Sequence, residues 1–306
     1  MILCCGEALI DMLPVEDAFR PHAGGAVFNT AVALGRLGAP AGFYSQLSTD
    51  MFGQQLVAAL ERSNVDASLC PRSPQPTTLA FVKLTNGQAE YLFYDEASAG
   101  RTLAPDDLPT LPANVAAMHF GAISLIPEPC GSAFEALCLR EASARVISLD
   151  PNIRASFIPD ETAHRARIRR MMAAADIVKV SDEDMAWIET EDERAFAAAR
   201  LLQGAALVVV TRGAEGATGH CAAGEASVAA QRVTVADTVG AGDTFDAALL
   251  HALDRAGRLT KQALRDLSLE DVETALRFAA RAAAVTVSRP GADPPWAHEL
   301  EGGDAA

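Results

Sequence analysis

Near its C-terminal end the chain carries Asp237-Thr238-Val239-Gly240-Ala241-Gly242-Asp243-Thr244-Phe245, a run of small residues leading into an Ala-rich helical pattern over 244–254. A small-residue loop entering a helix leaves several backbone N–H groups pointing outward, reinforced by the positive end of the helix dipole. That combination binds anions. Asp243 then stands beside the place an anion would take, where its charge repels the ligand unless it has another task. Accepting a proton from an attacking hydroxyl is such a task, and phosphoryl transfer needs little beyond that and positioning. An aspartate at this point also serves as an ordinary helix cap, so the residues alone leave both roles open. The loop is not a Walker A loop, because no Lys-Ser/Thr follows the glycines.

Other chemistries find less support. His22, His119, His164, His220, His251 and His298 form no i, i+4 pair and no HExxH, which disfavours a zinc enzyme. Ser124, Ser148 and the other serines lie in no GxSxG elbow, and the first strand leads into Gly6-Glu7-Ala8 and not a GxGxxG turn. An acyl-transfer hydrolase and a nicotinamide dehydrogenase are therefore disfavoured too. The six cysteines show neither CxxC pairs nor a disulfide framework, and they read as reduced, mostly buried thiols. A formal net charge of −15 argues against non-specific nucleic-acid binding. It also means that a polyanion such as ATP needs a locally prepared site.

The elements that must hold such a site alternate along the chain. Strand-like apolar runs cover 2–10, 41–47, 116–123, 145–150, 176–181 and 206–211. Helix-like patterns cover 28–37, 52–63, 132–142, 162–175 and 192–203, and a short strand over 227–235 precedes the Asp237–Phe245 loop. Continuously apolar strands separated by helices are what a parallel sheet covered on both faces requires, so the expected fold is a doubly wound, mostly parallel α/β domain over 1–306. Two stretches break the alternation: 12–23, with turns expected at Pro14 and Pro21, and 77–95, a hairpin pattern around Asn86-Gly87. Together 12–23 and about 66–98 are expected to form a small β lid over a ligand. The N-terminus has no basic n-region, and no stretch approaches ~18 uninterrupted apolar residues, so a cytoplasmic protein without a membrane span is expected.

Asp237–Phe245 resembles the C-terminal signature of the ribokinase-like (PfkB) carbohydrate kinases. Gly24-Gly25-Ala26-Val27-Phe28-Asn29-Thr30-Ala31 resembles that family's N-terminal signature. The resemblance runs from Gly6-Glu7-Ala8-Leu9-Ile10-Asp11 to Ser288-Arg289-Pro290-Gly291-Ala292, and GEALIDMLP, AGGAVFNTAVALGRLG and LDPNIR are most similar to bacterial fructokinases.

The resemblance implies a ribokinase-like fold, MgATP as phosphoryl donor and a small sugar as acceptor, most similar to D-fructose. Ketodeoxygluconate or a pentose are the nearest alternatives, and a silent sugar-binding protein is the alternative from another class. It assigns Asp243 as base, with Gly240, Ala241 and Gly242 as the anion loop. On the sugar it places Asp11 at the end of the first strand, Gly24, Gly25, Asn29 and Arg154. Lys179, Ser181, Thr211, Gly213 and Gly216 fall on the nucleotide side. Asp184 stands toward Mg²⁺, where relatives carry the acid of an Asn-x-x-Glu segment; here Ser and Asp replace that pair. Adenine is expected against the last helix, over 272–288, and a monovalent cation such as K⁺ near Asp237 and Ser288. The lid pattern, with one face in need of cover, points to a homodimer.

Overall fold

The computed structural model describes residues 1–85 and 88–301. Its main sheet has nine strands in the order Gly224–Val228, Ala217–Cys221, Leu207–Thr211, Ile177–Ser181, Val146–Asp150, Ala117–Gly121, Ile2–Cys5, Ala41–Tyr44, Val65–Asp66. From Val65–Asp66 across to Leu207–Thr211 every pairing is parallel, and the two strands beyond Leu207–Thr211 are antiparallel. The chain winds outward from Ile2–Cys5 to Ala41–Tyr44 and Val65–Asp66. It then returns to the other side of Ile2–Cys5 and winds the opposite way through Ala117–Gly121. That reversal opens a crevice outside the carboxyl ends of these strands, where doubly wound sheets bind ligands.

Both faces of the sheet are buried, and single strands show why. Ile2 and Cys4 enter one apolar core while Leu3 and Cys5 enter the other, and Leu207 and Val209 divide from Val208 and Val210 in the same way. The helices Ala26–Arg36, Ala241–Arg255 and Leu269–Val287 cover the first face; Cys130–Glu141, Glu161–Ala174 and Glu193–Gln203 cover the second. All six cysteines are free and buried within this framework.

A second sheet, four strands in the order Ala18–Gly24, Leu9–Val15, Leu79–Thr85, Gln88–Tyr94, stands apart from the first. It corrects three expectations. The run over 2–10 is not one strand: Ile2–Cys5 belongs to the main sheet and Leu9–Val15 to the second, with Gly6–Ala8 between them. Asp11 therefore sits within a strand of the second sheet, paired with His22 and Ala80, and not at the end of the first. Pro14 and Pro21 mark no turns; both lie in strands. Ala18–Gly24 is an edge strand, and Pro14 falls beyond the Ile10–Met12 stretch paired to Leu79–Phe81, so neither missing N–H breaks a shared ladder. The bounds 12–23 and 66–98 also shift, since Val65–Asp66 joins the main sheet and Arg72–Ser73 pairs with Leu47–Ser48. The hairpin signal Asn86-Gly87 lies outside the described residues, although the flanking strands pair antiparallel. Among the described residues no helix is long and apolar enough to cross a membrane.

Candidate functional site

Two helices on the first face begin at glycine with no side-chain cap: Ala26–Arg36 at Gly25 and Ala241–Arg255 at Gly240. Several helices elsewhere are capped by a side chain, as by Asp50, Asp160, Asp192, Thr260 and Ser268. Gly240 has φ 76°, a left-handed conformation that costs a residue with a Cβ but suits glycine. The loop before it is pinned. Asp237 accepts from the Val239 and Gly291 amides, at 3.1 and 2.9 Å. Ala236 and Asp237 donate to the Val287 carbonyl, at 2.9 and 3.2 Å. The Thr244 and Thr286 hydroxyls meet at 2.9 Å and lock the helix to Leu269–Val287.

Asp243 lies in the first turn of that helix and is buried. The Asn29 side-chain amide, from the first turns of the other glycine-started helix, donates to its Oδ2 at 2.9 Å. Burial pushes its carboxyl up to about 7, held back by the Asn29 bond and the Lys179 ammonium and raised further by Asp150 and Glu7. The two signature segments, more than two hundred residues apart in sequence, thus meet at one carboxylate.

Asp11 approaches from the second sheet. A Cβ on Gly24 would stand 2.2 Å from Asp11 Oδ2, so a side chain there would turn this carboxylate out of its present position. Burial alone pushes the Asp11 carboxyl up to about 6. A cavity of about 340 Å³ opens nearby, lined by Leu9 and Phe93 of the second sheet and by Glu7, Ser124 and Phe157.

The other expected residues are placed less uniformly. Arg154 is exposed, and its guanidinium donates to the Ile153 carbonyl at 3.0 Å. Lys179, expected to face nucleotide, is instead 5 % exposed and lies 2.7 Å from Asp150 and 3.4 Å from Asp246. The cause is register: Lys179 occupies the middle of Ile177–Ser181, where only the strand's end reaches the crevice. Ser181 at that end caps the following helix, its Oγ accepting from the Asp184 amide at 3.0 Å. Asp184 is buried, with one carboxylate oxygen accepting from the Ile153 amide at 2.7 Å and the other from the Ser181 amide at 3.2 Å. Thr211 ends the neighbouring strand, its hydroxyl donating to the Val180 carbonyl at 3.4 Å, and Gly213 and Gly216 bracket the turn after it. The strand expected over 227–235 stops at Val228, leaving Val233 and Val235 exposed on the approach to the loop.

Four groups in the crevice were not singled out from sequence. Glu7 bridges the two halves, accepting from the Val27 and Ser124 amides, each at 3.3 Å. Asp150, Asp246 and His119 line the wall beside Asp243. The i, i+3 spacing of Asp243 and Asp246 was the available signal, because it places both on one helix face. Among the described residues no three or more His, Cys, Asp or Glu side chains gather as a metal cage.

Residues 1–299 match the description "pfkB family carbohydrate kinase". The chain belongs to the pfkB family. This kinase is 56% identical over 283 residues to a fructokinase of Rhizobium leguminosarum bv. trifolii, covering 90% of this chain and 86% of that protein. It is 34% identical to the probable fructokinase-3 of Arabidopsis thaliana, covering 98% and 90%. Among solved structures, the fructokinase of Xylella fastidiosa with bound ATP superimposes with a TM-score of 0.87 at 31% identity, covering 95% of this chain and 93% of that one. A Vibrio cholerae O395 fructokinase double mutant with bound fructose, ADP and potassium ion gives a TM-score of 0.83 at 25% identity, covering 95% and 93%. The kinase therefore has the ribokinase-like α/β fold and is a carbohydrate kinase.

Proposed function

We propose that this kinase transfers the γ-phosphoryl group of ATP to the 6-hydroxyl of D-fructose, with Asp243 as the base. The observation that carries the reading is the Asp243 carboxylate at the mouth of an uncapped helix, buried, held by Asn29 and brought to about 7. A base poised near the working pH is effective in proton transfer. The sugar lies between Asp11 with Gly24 and Gly25 on one side and Asn29 with Asp243 on the other, and Arg154 closes over it from the loop after Val146–Asp150. The Gly240, Gly242 and Asp243 amides face the γ-phosphate, where negative charge concentrates during transfer, while the Ala241 amide donates to the Thr238 carbonyl at 3.3 Å and shapes the loop. Ser181, Thr211, Gly213 and Gly216 follow the nucleotide outward, toward the last helix.

Mg²⁺ would neutralise charge on the phosphates when bound. The lack of a dedicated side-chain cage among the described residues fits an ion that keeps several waters and rides on the nucleotide. Asp184, with both oxygens already accepting from backbone, fits a reach to it through water. A monovalent cation such as K⁺ near Asp237 and Ser288 completes the proposed set. We place the enzyme in the cytoplasm, where ATP is supplied and six unpaired thiols persist.

ADP release measured across fructose, ribose, 2-keto-3-deoxygluconate, glucose and adenosine tests the substrate. Fructose is expected to give the highest kcat/KM, and a preference for ketodeoxygluconate would overturn the choice of sugar while leaving the kinase.

The second sheet supports a homodimer. Its outer face carries Phe19, Leu92 and Tyr94, each about half exposed, with Phe81 stacked edge-on between Phe19 and Tyr94 at 5.0 and 5.5 Å. Such a contiguous aromatic row on one face is what an interface covers. Light scattering at micromolar concentration is expected to give twice the chain mass, and Phe81→Glu to give the monomer. A wild-type monomer would refute the dimer.

A further inference from the structure

The proposed reaction leaves Lys179 unexplained. Its ammonium is in the interior, 2.7 Å from Asp150 Oδ2 and 3.4 Å from Asp246 Oδ2, and both partners are buried. A Cβ on Gly242 would lie 3.3 Å from Nζ, so the ammonium forms the floor of the loop that ends in Asp243. Asp150, Asp243, Asp246 and His119 line one crevice above it. Two buried carboxylates therefore contact one buried ammonium, and the buried Asp184 and Asp243 act on the same charge from farther off. A pair built only for stability is matched charge for charge, because each unmatched buried ion is costly.

We propose that Lys179 is a positioning residue whose ammonium supplies the positive charge that lets Asp243 work as a base at neutral pH, and that Asp150 and Asp246 hold that ammonium beneath the loop. The inference rests on Asp243 being the base. Asp243 faces Asn29 from the first helix, Lys179 and Asp150 from the sheet, Glu7 from the connection between the sheets, and Asp246 from one turn on in its own helix. Lys179 faces Asp150, Asp246 and Asp184; burial pulls its pKa down, and these carboxylates more than offset that, so it stays charged. His119 faces Asp150 and Lys179, and burial brings it down to about 4, so it adds no charge at neutral pH. Burial alone would hold the Asp243 proton in place. An opposite charge within a few ångströms lowers a carboxyl by roughly 1–3 units, and a like charge raises it. Among these described residues facing Asp243, Lys179 supplies the positive charge.

The test is the pH profile of kcat/KM between pH 5 and 9 for the wild type, Lys179→Met, Lys179→Gln and Lys179→Arg, with Asp243→Asn as reference. The acid limb, near 7 in the wild type, is expected to move up by roughly 1–3 units in Lys179→Met. It is expected to move up likewise in Lys179→Gln and to return toward the wild-type position in Lys179→Arg. A merely structural lysine would lower kcat or Tm in these variants and leave the limb in place, which overturns the inference. If Lys179→Met does not fold, Lys179→Gln, which keeps a polar side chain but no charge, decides in its place: a limb that stays where it is overturns the proposal. Near-native turnover by Asp243→Asn would instead remove the base itself, a failure readable without the limb positions.

Discussion

Asp243→Asn is expected to lower kcat by roughly 10²–10⁴-fold, the range for removal of a general base, while sugar binding changes little. Asparagine keeps the shape of the side chain and can still accept from Asn29, but it cannot take a proton. The same variant is expected to gain stability at pH 8. The folded carboxyl sits at about 7 against a reference of 3.8, so burial penalises its charged form. The group's stabilising contribution is therefore complete below about pH 4 and is lost as pH rises toward 7. Asparagine escapes that cost, which is on the order of a few kcal/mol above pH 7 and absent near pH 3. Turnover and thermal melting at the two pH values check both signs. A variant that keeps near-native turnover ends the assignment; one that melts lower at pH 8 shows that the carboxylate is stabilised by more than the surroundings described.

Fructose is expected to exceed 2-keto-3-deoxygluconate in kcat/KM by at least about 10²-fold, and Asp11→Ala to erase most of that gap. Burial raises the Asp11 carboxyl, and among the described residues no donor or cation is seen to offset it. It therefore stands to gain from hydroxyl donors brought by a ligand. Fructose offers hydroxyls at positions three and four. Ketodeoxygluconate lacks the first of these and brings a carboxylate into a chain of net charge −15. A site built to bond hydroxyls rejects an analogue that lacks one, because its own buried polar group is then left unpaired. Steady-state kinetics on both sugars with both proteins decide the matter. An unchanged ratio in Asp11→Ala would move the discrimination elsewhere, with Arg154 the next residue to change.

The sequence disclosed the doubly wound core because parallel strands buried on both faces must be apolar at every position, as in Val208–Val209–Val210. It hid the break at Gly6–Ala8, because a continuous apolar run reads the same whether one sheet or two take it up. Asp243 and Asn29 were legible as members of two motifs, but their 2.9 Å contact is a product of the topology that folds the first helix against Ala241–Arg255. Lys179 shows the opposite error. The resemblance put it on the nucleotide side, and only the strand register shows its ammonium buried against Asp150 and Asp246. Local alternation likewise suggested a strand to Val235, yet Val228 is where the sheet-edge pairing ends.

The six buried cysteines give the molecule an internal gauge of its own opening. Cys4, Cys5 and Cys138 are fully enclosed, whereas Cys70 and Cys221 keep slight exposure. Burial raises the Cys4, Cys5, Cys70, Cys130 and Cys138 thiols well above their ordinary range, so in the folded state these five offer alkylating reagents almost no thiolate. Labelling must then follow excursions from the native fold, shallow ones near the sheet margin and complete ones at its centre. Peptide-resolved alkylation over time would thus rank the regions of this enzyme by the depth of unfolding each requires, with no probe engineered into the chain.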